Sequence, residues 1–346
     1  MLPCGVLNRK YSDDMAIIRT KLQWGLWIGF LILAFMIPML VTASWLMFFN
    51  NVMITLIAVI GLQLLVGYCG QISLMQSASM AVGAYTATIL AIHLNLPFWI
   101  TVPLGTLGAG VVGVIFGSPS LRVKGYYLAL ATLAAHYIIV FIVAHGPTDI
   151  TAGKTGLSVP EATIGDFSLN NDISWYYFIL IFTLAAGLFA KNLSRGKLGR
   201  AFVAIRDNDL TAEAVGINLF GYKTLAFFIC SLYAGLAGGL LAYYVGFTVI
   251  EQFTFWNGIW YLGMIIIGGA GSILGAVFGV VLFRFVEQVI LLAGPVLTPM
   301  LGGTIFPLLN AIYALLVMVF LIFEPRGLVH RWEIFKTSYR LWPYTY

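Results

Sequence analysis

The sequence is short of charge, and this shortage excludes most classes of soluble protein. Only 9% of its 346 residues are Asp, Glu, Lys or Arg, whereas 61% are hydrophobic and the mean hydropathy is +0.97. Soluble domains average about 25% charged residues, so this chain has too few polar side chains to cover a water-facing surface. A soluble catalytic domain is therefore excluded, and a polytopic membrane protein is indicated.

Cysteine and histidine are also scarce, which argues against several kinds of chemical site. The three cysteines are Cys4, Cys69 and Cys230, too far apart for a disulfide framework or a CxxC metal site. The four histidines lack the spacing of metal ligands. The net charge of +5 is spread over the ends of apolar runs and forms no continuous basic stripe. We therefore expect neither a cofactor bound by this chain nor a nucleic acid partner.

Long apolar runs are what the chain has instead, and they predict an all-α, polytopic transmembrane helical bundle of about ten spans. The predicted spans are residues 24–44, 50–67, 77–93, 98–117, 126–145, 174–190, 223–245, 256–269, 273–293 and 304–323. Most approach the ~20 residues that a helix needs to cross a bilayer. The first run is too long for the core of a signal peptide and is interpreted as a retained helix. The predicted organisation is a cytoplasmic segment 1–23, a transmembrane domain 24–323 and a cytoplasmic tail 324–346.

Basic residues lie on one side of the predicted bundle, and this fixes its expected orientation. With the amino terminus inside, Arg122, Lys124 and the basic residues of the polar loop 191–223 all face the cytoplasm. Only Lys154 falls in an outer loop, within residues 146–173. Positive charge is retained on the cytoplasmic side of membrane proteins. Both termini are therefore predicted to be cytoplasmic.

The loop 191–223 is the only long polar run with strongly apolar sequence on both sides. Hydrophobic residues alternate with its charges, which predicts short amphipathic helices on a cytoplasmic surface. Asp207 or Asp209 is expected to cap one of these helices, and Gly216 is expected to end it in the left-handed conformation. Exposed hydrophobic residues here favour a docking surface for a partner. An ordinary solvated loop is the alternative.

Two predicted helix pairs are interrupted by glycine and small polar residues, at 67–85 and 264–280. Backbone outside a helix cannot face lipid, so it is buried in protein or lines a solute pathway. Close packing at the ladders Gly271, Gly275, Gly279 and Gly235, Gly239 is the alternative, and we favour packing for those ladders. The candidate pathway residues are Gln63, Gln71, Ser73, Gln76, Ser77, Ser79, Gly83, Thr132, His136, Gly268 and Gly269.

Charge is nearly absent from the predicted spans between residues 50 and 145, where an ion pathway or proton relay would place carboxylates. This neutral lining suits a small uncharged or zwitterionic solute with an apolar body. Arg284 and Glu287, three residues apart on one predicted helix, are expected to neutralise one another.

One segment resembles a known family, namely SRGKLGRAFVAIRDNDLTAEAVGINLFGYKTLAFFICSLYAGLAGGLLA. It is similar to LivM-type permeases, the membrane subunits of branched-chain amino acid ABC importers. The stretches GYCGQISLMQSASMAVGAY, LRVKGYYLALATLA, TAGKTGL, IIGGAGSILGAVFG and FEPRGL extend the resemblance over roughly residues 50–330. Met75 and Ala152 depart from the pattern, because glycine is usual in the family at both positions.

The resemblance implies a permease subunit in the bacterial inner membrane that hydrolyses nothing itself. It implies a second LivH-like permease, two cytosolic ATPase subunits that bind ATP and Mg, and an external solute-binding protein. Glu213, near an expected helix start, and its neighbours resemble the EAA loop that docks on the ATPase. The implied coupling residues are Gly199, Arg200, Arg206, Asp207, Glu213, Ala214 and Gly216. A branched-chain or hydrophobic amino acid is the expected solute, with urea or another small amide, or a secondary transporter or channel, as alternatives.

Overall fold

The computed structural model describes residues 21–120, 125–153, 155–164, 167–169, 171–301, 305–324 and 326–341. Residues 1–20, which form most of the predicted cytoplasmic segment and include Cys4, lie outside the described residues. So do Arg122, Lys124 and Lys154, on which part of the predicted orientation depends. The chain divides into two compact units, Met1–Leu46 and Met47–Tyr346.

The first unit contains helix α1 (Lys21–Leu40) and the start of helix α2 (Ala43–Leu62). The first predicted span ended at residue 44 and the second began at residue 50, so both boundaries lie too late along the chain. Pro38 removes one backbone donor from the last turn of α1. The Thr42 carbonyl already accepts from the Leu46 amide (3.0 Å), which starts α2 at once.

The second unit is built almost entirely of helices. After a π-helical turn at Gln63–Tyr68 that extends α2, these are α3 (Gln76–Leu94), α4 (Phe98–Ser120), α5 (Tyr126–His145), α6 (Thr148–Thr151), α7 (Asp172–Arg195), α8 (Lys197–Asp207), α9 (Asp209–Ala214), α10 (Leu219–Val245), α11 (Phe255–Gly268), α12 (Ile273–Leu301), α13 (Ile305–Phe323) and α14 (Leu328–Leu341). A 3-10 turn covers Ile250–Phe253, and four two-residue strands are β1 (Leu157–Ser158), β2 (Thr163–Ile164), β3 (Phe167–Ser168) and β4 (Phe247–Thr248).

The all-α membrane class is confirmed, while the number of spans stays a prediction. Seven helices among the described residues are long and apolar enough to cross a membrane. A bent pair, Asn310–Phe323 with Leu328–Ser338, would make an eighth. With seven such helices, the chain is a multi-pass membrane protein. Helix α11 has only 14 residues and is about 21 Å long, which is short of a full bilayer core.

Helices α3, α4 and α10 form the closely packed centre of the second unit, and glycines bring their backbones together. A Cβ at Gly83 would collide with the backbone of Gly235, and one at Gly238 would collide with the Met80 carbonyl oxygen. Small residues allow such close helix approach inside a membrane, where burial from water gives no driving force between helices. Packing at Gly235 is confirmed, because a Cβ there would also lie within 2.5 Å of the Ala109 methyl group.

The connections gather at two opposite ends of the bundle. At one end, β1 pairs antiparallel with β4, so the loops 146–173 and 246–254 meet. At the other end, the breaks after Tyr68 and Gly268 lie against α8 and the turn at Gly327. This grouping agrees with the predicted outer and inner loops. Which end faces the cytoplasm stays a prediction.

Candidate functional site

The polar loop 191–223 folds as the end of α7, the two short helices α8 and α9, and the start of α10. Its hydrophobic residues divide into two sets. Phe202 and Ile205 on α8 are 0% and 2% exposed, so they anchor the helix in the bundle. Leu210 and Val215 on and after α9 are 73% and 78% exposed. The loop is therefore anchored through α8 and presents an apolar surface around α9.

The caps of α9 differ in part from those predicted. Neither Asp207 nor Asp209 caps the helix; the side chain of Asn208 accepts from the Thr211 amide at 3.1 Å. Asp209 instead occupies the first turn, where a negative charge is favourable. Asparagine serves as well as aspartate at this position, and the capping residue is simply the one with extended backbone.

Gly216 ends α9 as predicted, with φ at +90°. The Ile217 amide donates to the Ala212 carbonyl (3.0 Å) and the Gly216 amide donates to the Glu213 carbonyl (2.9 Å). This pair of bonds is the Schellman arrangement. Glu213 was expected near a helix start, and that placement is wrong, because the residue lies in the last turn of a six-residue helix.

Helix α9 is joined to the transmembrane helix that follows it by an ion pair. Lys223 Nζ lies 2.8 Å from Asp209 Oδ2, and the two side chains are 7% and 20% exposed. Removal of one partner would leave the other charge unpaired at a partly buried position, which would destabilise this contact. The position of α9 is thus tied to the start of α10.

The two broken helices meet at one place, which we call the junction: residues 67–72, Arg206, residues 269–272 and residues 326–327. Gln63 Nε2 donates to the carbonyls of Gly269 (3.0 Å) and Ser272 (2.9 Å), so one side chain joins the first break to the second. A Cβ at Gly67 would lie 2.5 Å from the Gly271 amide nitrogen. Gly70, Gly269 and Gly271 all have positive φ values.

Arg206, in the last turn of α8, reaches into the junction. Its Nη1 donates to the Gly67 carbonyl at 2.9 Å, while its Nε and Nη2 donate to Asp207 Oδ1 at 3.1 and 3.0 Å. The nearby Cys69 thiol is fully buried, and burial raises its pKa to about 12. That thiol is therefore protonated and unreactive at neutral pH.

A second group of predicted pathway residues lies where α3, α5 and α11 pack together. The Leu74 amide donates to Thr132 Oγ1 (3.0 Å), which fixes the start of α3 against α5. Ser77 Oγ and His136 Nδ1 are buried and without a hydrogen-bond partner among the described residues. Each such group costs about 1–3 kcal/mol if it stays unpaired. A bound solute or water would supply the missing partner.

A cleft of about 760 Å³ opens beside this group, between α5 and the segment 250–256. Its lining is mainly aromatic and apolar and includes His136, Tyr137, Phe141, Phe255 and Trp256. Glu251 is the acidic residue of the lining. The described residues contain no group of three or more His, Cys, Asp or Glu placed to hold a metal ion.

The other predicted pathway residues lie elsewhere. Gln76 donates to the Ala58 carbonyl (2.7 Å) and accepts from the Cys230 thiol (3.0 Å), so it joins helices. Ser79 and Ser231 likewise bond across α3 and α10 (3.4 Å). Gly83 lies in a backbone contact between those helices. Gln71, Gly268 and Gly269 lie at or beside the junction; Gln71 bonds only locally, to the Cys69 carbonyl.

The coupling candidates on the loop differ in how far they are exposed to water. A Cβ at Gly199 would collide with the carbonyl of Ser194, so this glycine lets α8 fold back against the end of α7. Arg200, Glu213 and Ala214 are exposed.

The predicted pairing of Arg284 with Glu287 is confirmed at 2.7 Å. Sequence reasoning missed Thr55, whose hydroxyl accepts from Arg284 Nη2 at 2.7 Å, because a single threonine in an apolar run carries no signal.

Comparison with known proteins identifies related sequences over most of the chain. The family described as "Branched-chain amino acid transport system / permease component" matches residues 44–323. The high-affinity branched-chain amino acid transport system permease protein LivM of Escherichia coli K12 is 29% identical over 326 residues, covering 87% of this chain and 74% of LivM. The autoinducer 2 import system permease protein LsrC of Salmonella paratyphi B is 26% identical, over 64% of this chain and 65% of LsrC. A solved structure of PsaBC from Streptococcus pneumoniae aligns with a TM-score of 0.43 at 14% identity, over 81% of this chain and 91% of that chain.

Proposed function

Because this chain belongs to the family of branched-chain amino acid transport permease components, we propose that it is the membrane subunit of an ATP-driven ABC importer. It translocates branched-chain or other hydrophobic amino acids across the bacterial inner membrane. A second LivH-like permease completes the pathway, and two cytosolic ATPase subunits bind the ATP and Mg. An external solute-binding protein delivers the solute.

The observation that carries this proposal is the apolar surface of α9 on a loop that reaches the broken helices. Leu210 and Val215 are exposed there, as is the acidic Glu213, and Phe220 is exposed at the start of α10. Aromatic and aliphatic side chains at a water-facing position favour a protein partner. Closure of the ATPases would push on this surface and bias the bundle between outward-open and inward-open states.

The solute passes the group formed by Ser77, Thr132 and His136. Two unpaired polar atoms beside a mainly apolar cleft, whose lining includes the acidic Glu251, suit a solute with an apolar body and a few hydrogen-bonding groups. The relatives' names include both branched-chain amino acids and autoinducer 2. A branched-chain amino acid is the solute we propose, and both solutes belong in a direct test. Urea and other small amides belong in the same test.

Reconstitution with candidate partners tests the function. The chain, a co-encoded second permease, the ATPases and the binding protein are assembled in vesicles, and uptake of leucine, valine, urea and autoinducer 2 is measured with and without ATP. We expect ATP-dependent uptake of leucine or valine and copurification of the ATPase. Uptake by the chain alone, driven by an ion gradient, would establish a secondary transporter instead.

A variant that narrows the pathway tests where the solute passes. Ser77→Phe should abolish uptake while the complex still assembles. Gly83, which also lies in the predicted pathway, is unsuitable for this test because a side chain there would collide with Gly235. Normal uptake by the Ser77→Phe complex would place the pathway elsewhere.

Orientation is tested by labelling single cysteines from each side of the membrane. Glu161 and Lys197 are both exposed and lie at opposite ends of the bundle. Glu161→Cys should react with an impermeant maleimide from outside, and Lys197→Cys only after the cytoplasmic side is opened. Tags at both termini should be reached only from the cytoplasm. Labelling of both cysteines from one side would contradict the topology.

A further inference from the structure

The side chain of Arg206 lies between the two breaks of the junction. If Gly70 carried a Cβ, that atom would be 2.8 Å from Arg206 Cγ, and a Cβ at Gly271 would be 3.1 Å from Arg206 Nη1. One glycine belongs to the first break and the other belongs to the second. The partly exposed arginine side chain therefore passes close to a glycine of each break.

The hydrogen bond to the first break satisfies a specific backbone need. Gly67 belongs to the π-helical turn that ends α2, and the last carbonyls of a helix have no partner within it. Arg206 Nη1 supplies one to the Gly67 carbonyl at 2.9 Å. Because the donor belongs to α8, a displacement of α8 acts directly on the end of α2.

Arginine suits this position better than lysine. Its planar guanidinium presents five donors in a fixed arrangement, so Asp207 can hold Nε and Nη2 while Nη1 points to the helix end. A lysine ammonium is a single point charge on a flexible stem. It could contact the carbonyl or the carboxylate but would not fix the direction between them.

Gln63 joins the two breaks, so what moves one also moves the other. Its side-chain amide bonds two carbonyls of the second break, and it lies in the same π-helical turn as Gly67, four residues earlier. The contacts thus run from α8 through Arg206 to the first break, and through Gln63 to the second. All of these residues belong to the second compact unit.

We propose that Arg206 is the positioning residue that transmits movement of the docking surface around α9, through α8, to both broken helices at once. This inference rests on the proposed ABC importer function. A residue that only stabilised the fold would change assembly or stability. A transmitting residue changes the amount of solute moved per ATP hydrolysed.

The test uses the full reconstituted complex with Arg206→Gln and Arg206→Lys. Lys197→Gln is the control, because it removes one positive charge from an exposed position on the same helix. Leucine uptake, ATP hydrolysis, thermal stability and copurification are measured on each complex. We expect Arg206→Gln to lower the ratio of uptake to hydrolysis about tenfold, within the range of typical coupling between two sites. Arg206→Lys should lie between that variant and wild type, and Lys197→Gln should equal wild type.

A labelling measurement follows the transmitted movement itself. Ile72 lies in the first break and is 40% exposed. In an Ile72→Cys protein, addition of ATP should change the rate of maleimide labelling, and the Arg206→Gln substitution should abolish that change. Cys4 is replaced by serine in this protein, and Cys69 and Cys230, which are 0% and 2% exposed, are expected to contribute little background.

The outcomes separate the inference from the function on which it rests. If the wild-type complex shows no ATP-dependent uptake, the proposed function is wrong and the inference falls with it. If wild type transports and Arg206→Gln keeps its ratio of uptake to hydrolysis, only the inference is wrong. Loss of copurification or of stability in both Arg206 variants, with a normal ratio in the complex that remains, also overturns the inference in favour of a structural role.

Discussion

The two breaks of the junction are held by different means. At the first break the holding group is a side chain, because Arg206 donates to the Gly67 carbonyl. The second break receives two hydrogen bonds from the Gln63 side chain, and it is also held by backbone atoms that glycine brings close. A Cβ at Gly275 or Gly279 would collide with the carbonyl of Gly269 or Met264, respectively.

This difference separates residues that determine the fold from residues that can be changed within it. Backbone atoms in direct contact cannot move aside for a side chain without shifting a whole helix. A polar side chain can be replaced by one of similar size, and then only its hydrogen bonds are lost. Substitution of a glycine in backbone contact should therefore disrupt the membrane bundle, whereas substitution of Gln63 or Arg206 should leave it folded and change its stability or its coupling.

Gly279→Val is expected to have the largest effect. A Cβ at this position would collide with the Met264 carbonyl oxygen, so α11 and α12 would have to separate. Overpacking costs about 1–3 kcal/mol in ordinary cores and more where backbone must shift, so we expect loss of the folded protein. Expression and a monodisperse profile in detergent measure this.

The control for Gly279→Val is Gly187→Val, in the interior of α7, where a Cβ would meet nothing within 4 Å. That variant should be recovered at the wild-type level. Equal recovery of the two variants would show that the second break does not depend on backbone contact.

Gln63→Leu should have the next largest effect on stability. It removes the donor to the Gly269 and Ser272 carbonyls and nearly preserves the volume of the side chain. We expect the free energy of unfolding to fall by about 1–3 kcal/mol, seen as a lower midpoint of thermal unfolding. Gln71→Leu, which loses only a local bond to the Cys69 carbonyl, should have a smaller effect. A larger effect at Gln71 would place the holding contacts outside the junction.

Much of the helical organisation follows from the sequence. Apolar runs and glycine interruptions located the helices and both breaks, because a membrane admits few other structures. The left-handed Gly216 also followed from local rules. The Asn208 cap was missed by one residue, and Glu213 was placed at the wrong end of α9. Helix boundaries in a short loop depend on which of several polar residues adopts extended backbone.

The long-range contacts could not be read from the sequence in the same way. Gln63 and Arg206 are 143 residues apart. Both are polar residues that the sequence singles out, but that both bond at the junction depends on how α8 packs against the end of α2. Gln76 and Ser79 were predicted to line the pathway, but in the structure their side chains bond to neighbouring helices. One sequence alone does not separate a lining serine from a packing serine.

Gly216→Val tests a turn that glycine holds without close packing. A Cβ there would meet nothing within 4 Å, so the cost comes only from the φ of +90° and is about 1–2 kcal/mol, confined to an exposed turn. The membrane bundle should remain folded, while hydrolysis stimulated by the binding protein should be lost as the α9 surface is redirected. Gly216→Asn, which tolerates this conformation, is the matched control and should retain stimulation.

Glu213→Lys sharpens the interpretation of that loop. The residue lies in the last turn of α9, where a positive charge is favourable by about 0.3–1 kcal/mol. The substitution should therefore not weaken the helix, and any loss of stimulated hydrolysis reports on docking alone. Normal stimulation in both Gly216→Val and Glu213→Lys would show that the loop is only a connector.

Ala152→Gly should have the smallest effect, and its sign is opposite to that of the others. Ala152 has φ at +50°, in a turn outside both breaks where the resembling family usually has glycine. An alanine in this conformation carries a strain of about 1 kcal/mol that glycine lacks, although glycine also loses more chain entropy on folding. We expect the midpoint of thermal unfolding to rise slightly or stay equal in Ala152→Gly and to fall in Ala152→Val. A clear fall in Ala152→Gly would show that the methyl group contributes packing that outweighs the strain of the positive φ.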